Sequence, residues 1–138
     1  TIGSDHAPHL IPEKFTDDYF TAKSGFPSIQ HTLTMMMELG VDLAQLVTLM
    51  CHNPAILYQI DRRGFIREGY HADLVIVDPH SEHQIAPEEL FYKCAWTPYL
   101  GQSVHTKVTH TFVNGNLVFE NGEIHDECRG ERLVFNRN

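Results

Sequence analysis

The sequence predicts an α/β protein in which a helical first part gives way to a strand-rich remainder. Three observations predict it. Ile29, Leu33, Met36 and Met37 recur at i, i+4, i+7 and i+8, the spacing of one helix face. Leu74-Val75-Ile76-Val77 is a continuous apolar run ended by Asp78-Pro79, as expected of a strand buried on both faces. Val108 to Val113, the dipeptide Asn114-Gly115, and Leu117 to Phe119 together read as a β-hairpin. The change of character falls near Asp61 to Gly64 and divides the chain into residues 1–61 and 62–138.

Taken in order, Thr1 to Ser4 reads as the end of a buried strand. Asp5 to Gly25 has neither period and contains Pro8, Pro12 and Gly25, so it reads as a long functional or mobile loop. Ser28 to Leu39 is the first expected helix, with Gly40 as its stop. Asp42 caps a second helix bearing Leu43, Leu46, Val47 and Met50 on one stripe. Asn53-Pro54 reads as an N-cap followed by a first-turn proline, opening a third helix to about Tyr58. After Gly64 and Gly69 come the apolar strand, a helical turn at Pro87 to Leu90, and the hairpin. A second turn at Asn121-Gly122 and a short strand at Leu133 to Phe135 close the chain. No internal repeat is present.

Composition narrows the function. The chain has 138 residues, 42% apolar and 20% charged, the balance of a globular domain. Its net charge of -8 excludes a nucleic-acid partner, because phosphate binding needs clustered Lys and Arg. No window approaches the roughly 18 apolar residues that cross a bilayer, so no membrane partner is expected. Cys51, Cys94 and Cys128 match neither a disulfide framework nor a CxxC pair; reduced thiols in a cytoplasmic protein are the expectation. The chain opens at Thr1 inside a motif-like stretch, as a fragment or processed piece would.

The chemistry sits in Gly3-Ser4-Asp5-His6-Ala7-Pro8-His9. Asp5 stands where a strand would end and a loop begin, the edge at which ligand and catalytic groups gather in parallel α/β folds. A carboxylate there can ligate a divalent metal and accept a proton from metal-bound water. His9 could meet an anionic substrate. Equally, Asp5 could cap a local turn with both histidines solvated, since one Asp and two His fall short of the roughly three or four ligands of a zinc site.

Ser4-Asp5-His6-Ala7-Pro8-His9, followed by Glu13-Lys14, resembles the DHAPH…EK signature of dihydroorotases in the amidohydrolase superfamily. Further stretches are similar to family segments: Ala22 to Phe26 with Ile29-Gln30, His52 to Ala55, Gly64 to Val75, Lys93 to Pro98, and Thr111 to Gly115. The resemblance implies the C-terminal part of a (β/α)8 TIM-like barrel over residues 1–61. Residues 62–138 would then add C-terminal strands of the β-sandwich. It implies zinc-dependent, reversible hydrolysis of dihydroorotate to carbamoyl aspartate within pyrimidine synthesis, with one or two zinc ions. Asp5 would ligate metal and carry the proton; His9 would bind the substrate carboxylate; Ser24 and Gly25 would offer backbone groups. Ser24 and Ser28 replace a common proline and glycine, so this loop departs from the pattern. The family's HxH pair, carboxylated lysine and two further metal histidines have no counterparts here, so the chain alone is expected to bind metal weakly and to be inactive. The remainder of the barrel is the expected partner, and a homodimer an allowed assembly. A hydantoinase, an allantoinase and a non-catalytic dihydroorotase-like subunit are the alternatives.

Other features have simpler readings. Met35 to Met37 are helix packing, and Trp96 is a core or interface anchor. The acidic run Glu120 to Glu127 is a solvated hairpin edge. Cys51 and His52 are adjacent on a helix and point apart, which argues against a nucleophile pair. His31, His71, His80, His83, His105, His110 and His125 are expected at the surface or behind the site.

Overall fold

A computed structural model describes residues 1–137. The first segment wraps loops around short helices: α1 (Ile11–Lys14), α2 (Thr32–Glu38), α3 (Leu43–Val47) and α4 (Asn53–Leu57). Strands follow as β1 (Leu74–Asp78), β2 (His83–Gln84), β3 (Ser103–Val104), β4 (Lys107–Val113), β5 (Asn116–Glu120) and β6 (Glu123–Ile124). They form a four-stranded antiparallel sheet in the order β1-β4-β5-β6 and a separate β2-β3 pair.

Where local chemistry dictates one conformation, the sequence reading holds. β4 and β5 are joined by Asn114-Gly115 with Val113 opposite Asn116, and both turn residues have positive φ, 51° and 82°. That is the mirror-image turn whose twist matches the strands. Asn121-Gly122 repeats it between β5 and β6. At the end of α2 the Val41 N–H reaches Met36 O and the Gly40 N–H reaches Met37 O, with Gly40 at φ 74°. This is a Schellman stop of the kind glycine permits. The Asp42 carboxylate caps α3 by accepting the Gln45 N–H at 3.1 Å.

Five expectations are corrected. Asn53 has helical dihedrals (φ −62°, ψ −42°), so it cannot be an N-cap; the helix instead runs on from α3 through a π-type turn at Thr48–His52. Pro54 has no N–H for the carbonyl one turn back, and the widened turn, in which the Asn53 N–H bonds Thr48 O, accommodates it. β1 is not buried on both faces: Val75 and Ile76, which point to opposite faces, are both half exposed, and β1 is an edge strand paired with β4 alone. Thr1 to Ser4 forms no strand, and Leu133 to Phe135 contributes only an isolated bridge between Ile60 and Phe135. The Asp5 to Gly25 loop is also less open than expected, since it contains α1.

The buried apolar core is small: Leu46, Ala55, Ile85, Cys94 and Val104. Polar ties therefore carry much of the tertiary order. Asp73 accepts the Asn114 N–H at 2.8 Å and pairs with Arg63, whose guanidinium also reaches Asn114 Oδ1 at 2.7 Å. Gly64 lets the chain double back onto the helix; at φ 77°, any Cβ there would fall 2.6 Å from Cys51 O and collide with the Ala55 Cβ.

Candidate active site

The signature stretch is held from three directions. On one side, His6 forms a parallel bridge with Phe26, and the Ala7 N–H donates to Phe26 O at 3.0 Å. His6 Nδ1 accepts the N–H groups of Ser28 (3.0 Å) and Ile29 (3.3 Å), while Ser28 Oγ donates to Ser4 O at 2.7 Å. His6 is thus a structural histidine with its ring proton on Nε2. This arrangement needs Gly25: it sits at φ 83°, and a Cβ there would lie 2.5 Å from the Ala7 Cβ.

On the second side is α1. Glu13 caps it by accepting the Leu10 N–H at 2.8 Å, and Lys14 Nζ donates to the carbonyls of Gly25 (2.6 Å) and Lys23. Glu13 and Lys14, the last two residues of the signature, thus have distinct tasks: one fixes the helix start, the other pins the 23–25 loop beside it. The Gly25 carbonyl is engaged by that ammonium.

The third side comes from far along the sequence. The Gln30 N–H donates to the Tyr92 hydroxyl at 2.8 Å, and the Gln30 side chain spans Glu89 O (2.7 Å) and the Phe91 N–H (3.0 Å). Tyr92 Oη lies 3.3 Å from His31 Nδ1. Burial holds the His31 imidazole below its ordinary pKa, against the opposing pull of Glu89, and pushes the Tyr92 phenol up. Both stay uncharged, so the hydroxyl can donate to a neutral imidazole. His31 is therefore a core residue. Trp96 Nε1 donates to His9 O at 2.7 Å. An open cleft of about 550 Å³ lies between His6, Pro8, Ile29, Gln30 and Tyr92.

Within this frame Asp5 is exposed, at φ 46°, in a left-handed conformation that only a few non-glycine residues adopt. Among the described residues its carboxylate makes no hydrogen bond or ion pair, so it caps no turn. His9 is half exposed, with Nδ1 4.0 Å from Glu13 Oε2. Gly25 is brought against the signature, whereas Ser24 is exposed with no side-chain partner among the described residues. Among the described residues no three His, Cys, Asp or Glu side chains converge to hold a metal ion. These residues therefore do not by themselves fit a metal centre. The His52 ring stacks on Phe65 at 4.3 Å, and partial burial pushes the Cys51 thiol pKa up, which disfavours the reactive thiolate.

A model of the amidohydrolase family matches residues 1–118. The chain belongs to the amidohydrolase family. It is 35% identical over 137 residues to a dihydroorotase of Pyrococcus abyssi, covering 96% of this chain and 32% of that protein. To an allantoinase of Solibacter usitatus it is 30% identical over 137 residues, covering 96% and 30%. The fold superposes on a D-hydantoinase (dihydropyrimidinase) from Thermus sp. with a TM-score of 0.84 at 22% identity, covering 92% of this chain and 30% of that one. The chain spans about a third of the length of the relatives it matches. The amidohydrolase fold class expected from the sequence is borne out, as α/β structure from a (β/α)8 barrel followed by antiparallel strands.

Tyr92, Gln30 and Lys14 were not singled out as site residues in the sequence, and Trp96 stood there only as an anchor. Lys14 lay within the quoted motif, and that was its only signal.

Proposed function

We propose that this chain is the part of a dihydroorotase-type cyclic amidohydrolase that supplies one catalytic carboxylate and the group recognising the substrate's own carboxylate. The supporting observation is Asp5: a carboxylate without a partner among the described residues, in a left-handed conformation between Ser4, whose carbonyl accepts Ser28 Oγ–H, and His6, whose Nδ1 accepts the Ser28 N–H. Such strain persists where the surroundings over-determine it, and it gathers at functional sites. Similarity to several dihydroorotases supports the choice of substrate.

In this reading the reaction is reversible hydrolysis of dihydroorotate to carbamoyl aspartate. Asp5 takes up the proton released by the attacking water and delivers it to the ring nitrogen, a poor leaving group until protonated. His9 donates to the substrate carboxylate. Gly25 shapes the wall against Ala7, and with Ser24 offers backbone groups facing the ring. Zinc, one or two ions, belongs to the proposal with Asp5 as this chain's one ligand and the others supplied by the remainder of the barrel. Residues 1–61 would complete that barrel and residues 62–138 its sandwich. Among the described residues no helix is long and apolar enough to cross a membrane; a cytoplasmic setting in pyrimidine synthesis is part of the proposal.

A second reading, hydrolysis of allantoin or a hydantoin, is favoured by the allantoinase relative and the hydantoinase fold match. Rates of the complete enzyme on dihydroorotate, allantoin and hydantoin separate the two. Preference for dihydroorotate is expected, and preference for a ring without a carboxylate would reject the first reading.

A further inference from the structure

We propose that Trp96 is a positioning residue for His9, so that the segment from Tyr92 to Tyr99 sets carboxylate recognition from outside the signature loop. The inference rests on the role proposed above for His9.

The main chain of His9 is fixed at both ends. Its N–H donates to Ala7 O at 2.9 Å, a tight turn across Pro8, and its carbonyl accepts the Trp96 indole N–H at 2.7 Å. These two bonds help set where the Cα–Cβ bond of His9 points, and among the described residues the nearest charged partner of the ring is Glu13 Oε2, at 4.0 Å. An imidazole so sparsely held takes its aim from its backbone. The Leu10 N–H held by Glu13 lies on the same planar peptide as the His9 carbonyl, so the helix cap and the indole grip opposite edges of one unit, and the indole bond is its tie to the segment from Tyr92 to Tyr99.

Trp96 is itself placed with effort. Ala95 precedes it at φ 54°, a left-handed conformation costly for any residue with a Cβ, and the Ala95 N–H is held by Tyr92 O at 3.0 Å. Thr97, on the other side, is buried. Tyr92 in turn accepts the Gln30 N–H. The strained residue and the buried one fix the segment so that the indole N–H meets a carbonyl 87 positions earlier.

The test uses the complete enzyme with Trp96→Phe, which keeps a smaller aromatic side chain and removes the donor, crossed with His9→Ala. Should the Phe variant not fold, β-(3-benzothienyl)alanine at position 96 replaces the N–H by sulfur with the indole shape kept. Steady-state kinetics on dihydroorotate is read as KM against kcat. Loss of one hydrogen bond that orients the recognising group is expected to raise KM about three- to tenfold with kcat within about twofold. In the His9→Ala background the same change is expected to leave KM where His9→Ala alone puts it. If His9→Ala raises KM but Trp96→Phe does not, or if their effects multiply, Trp96 does not act through His9 and the inference falls alone. If His9→Ala leaves KM unchanged, the recognition role of His9 falls, and the inference falls with it.

Discussion

Replacing Gly25 with alanine tests whether the 23–25 loop and the signature stretch form one rigid unit. Gly25 sits at φ 83°, and an alanine Cβ would meet the Ala7 Cβ at 2.5 Å. Forcing an L-residue into that region costs about 1–2 kcal/mol. A carbon pair at this separation lies well inside the roughly 3.5–4.0 Å optimum, and relieving such overpacking costs about 1–3 kcal/mol. Together these amount to roughly 2–5 kcal/mol, a large share of a domain's stability. Relaxation would also disturb the Ala7 to Phe26 hydrogen bond and the Lys14 clamp on the Gly25 carbonyl. Ala7→Gly removes the contact but not the backbone strain, so the double variant should keep a deficit of about 1–2 kcal/mol. The chain's single tryptophan, Trp96, bonds to His9 and reports on this region, so urea unfolding followed by its fluorescence measures both effects. A loss below about 1 kcal/mol for Gly25→Ala, or no recovery on adding Ala7→Gly, would refute the close-approach argument.

Three further outcomes are expected. Asp5→Asn in the complete enzyme should lower kcat on dihydroorotate by about 10²–10⁴, the usual worth of a general base; a rate within threefold of the parent would remove Asp5 from the chemistry. His9→Ala should raise KM for dihydroorotate about 10- to 150-fold, the loss of one charge-assisted hydrogen bond, while KM for dihydrouracil, the same ring without the carboxylate, stays put. Glu38 accepts the His105 N–H at 2.7 Å and faces its Nδ1 at 3.1 Å, which raises the His105 pKa and lowers that of Glu38. The histidine's contribution is complete below its unfolded value near 6.5 and fades as pH rises through the folded one; the carboxylate's is complete above its unfolded value near 4.5 and fades as pH falls. The pair should thus tie α2 to the strands best between those values, and Glu38→Gln should lower the His105 titration midpoint seen by NMR.

How much of this was legible in the sequence depends on the range of each contact. Asn114-Gly115, Gly40 and Asp42 impose local backbone geometry, and each behaves as its residue type demands. Asn53-Pro54 misled because its local chemistry fits a helix start equally well as a widened turn inside a continuing helix. Gly64 packs against that turn, a contact that the dipeptide itself does not announce. The run Leu74 to Val77 states what a strand could bury; whether a covering layer exists is decided elsewhere. In the site, the signature stretch announced itself through residue type and spacing. The side chains that hold it did not: Tyr92 lies 62 positions from Gln30, and Trp96 lies 87 from His9. Contacts at such separations leave no period to read.

The position of the Asp5 carboxylate in the complete enzyme is the most direct test. A crystal structure with bound dihydroorotate, and anomalous scattering recorded at the zinc edge, would locate both partners. The account expects one Asp5 oxygen at about 2.0–2.2 Å from the metal and the His9 ring at hydrogen-bond distance from the substrate carboxylate. An Asp5 side chain turned to solvent, away from any metal, would contradict it.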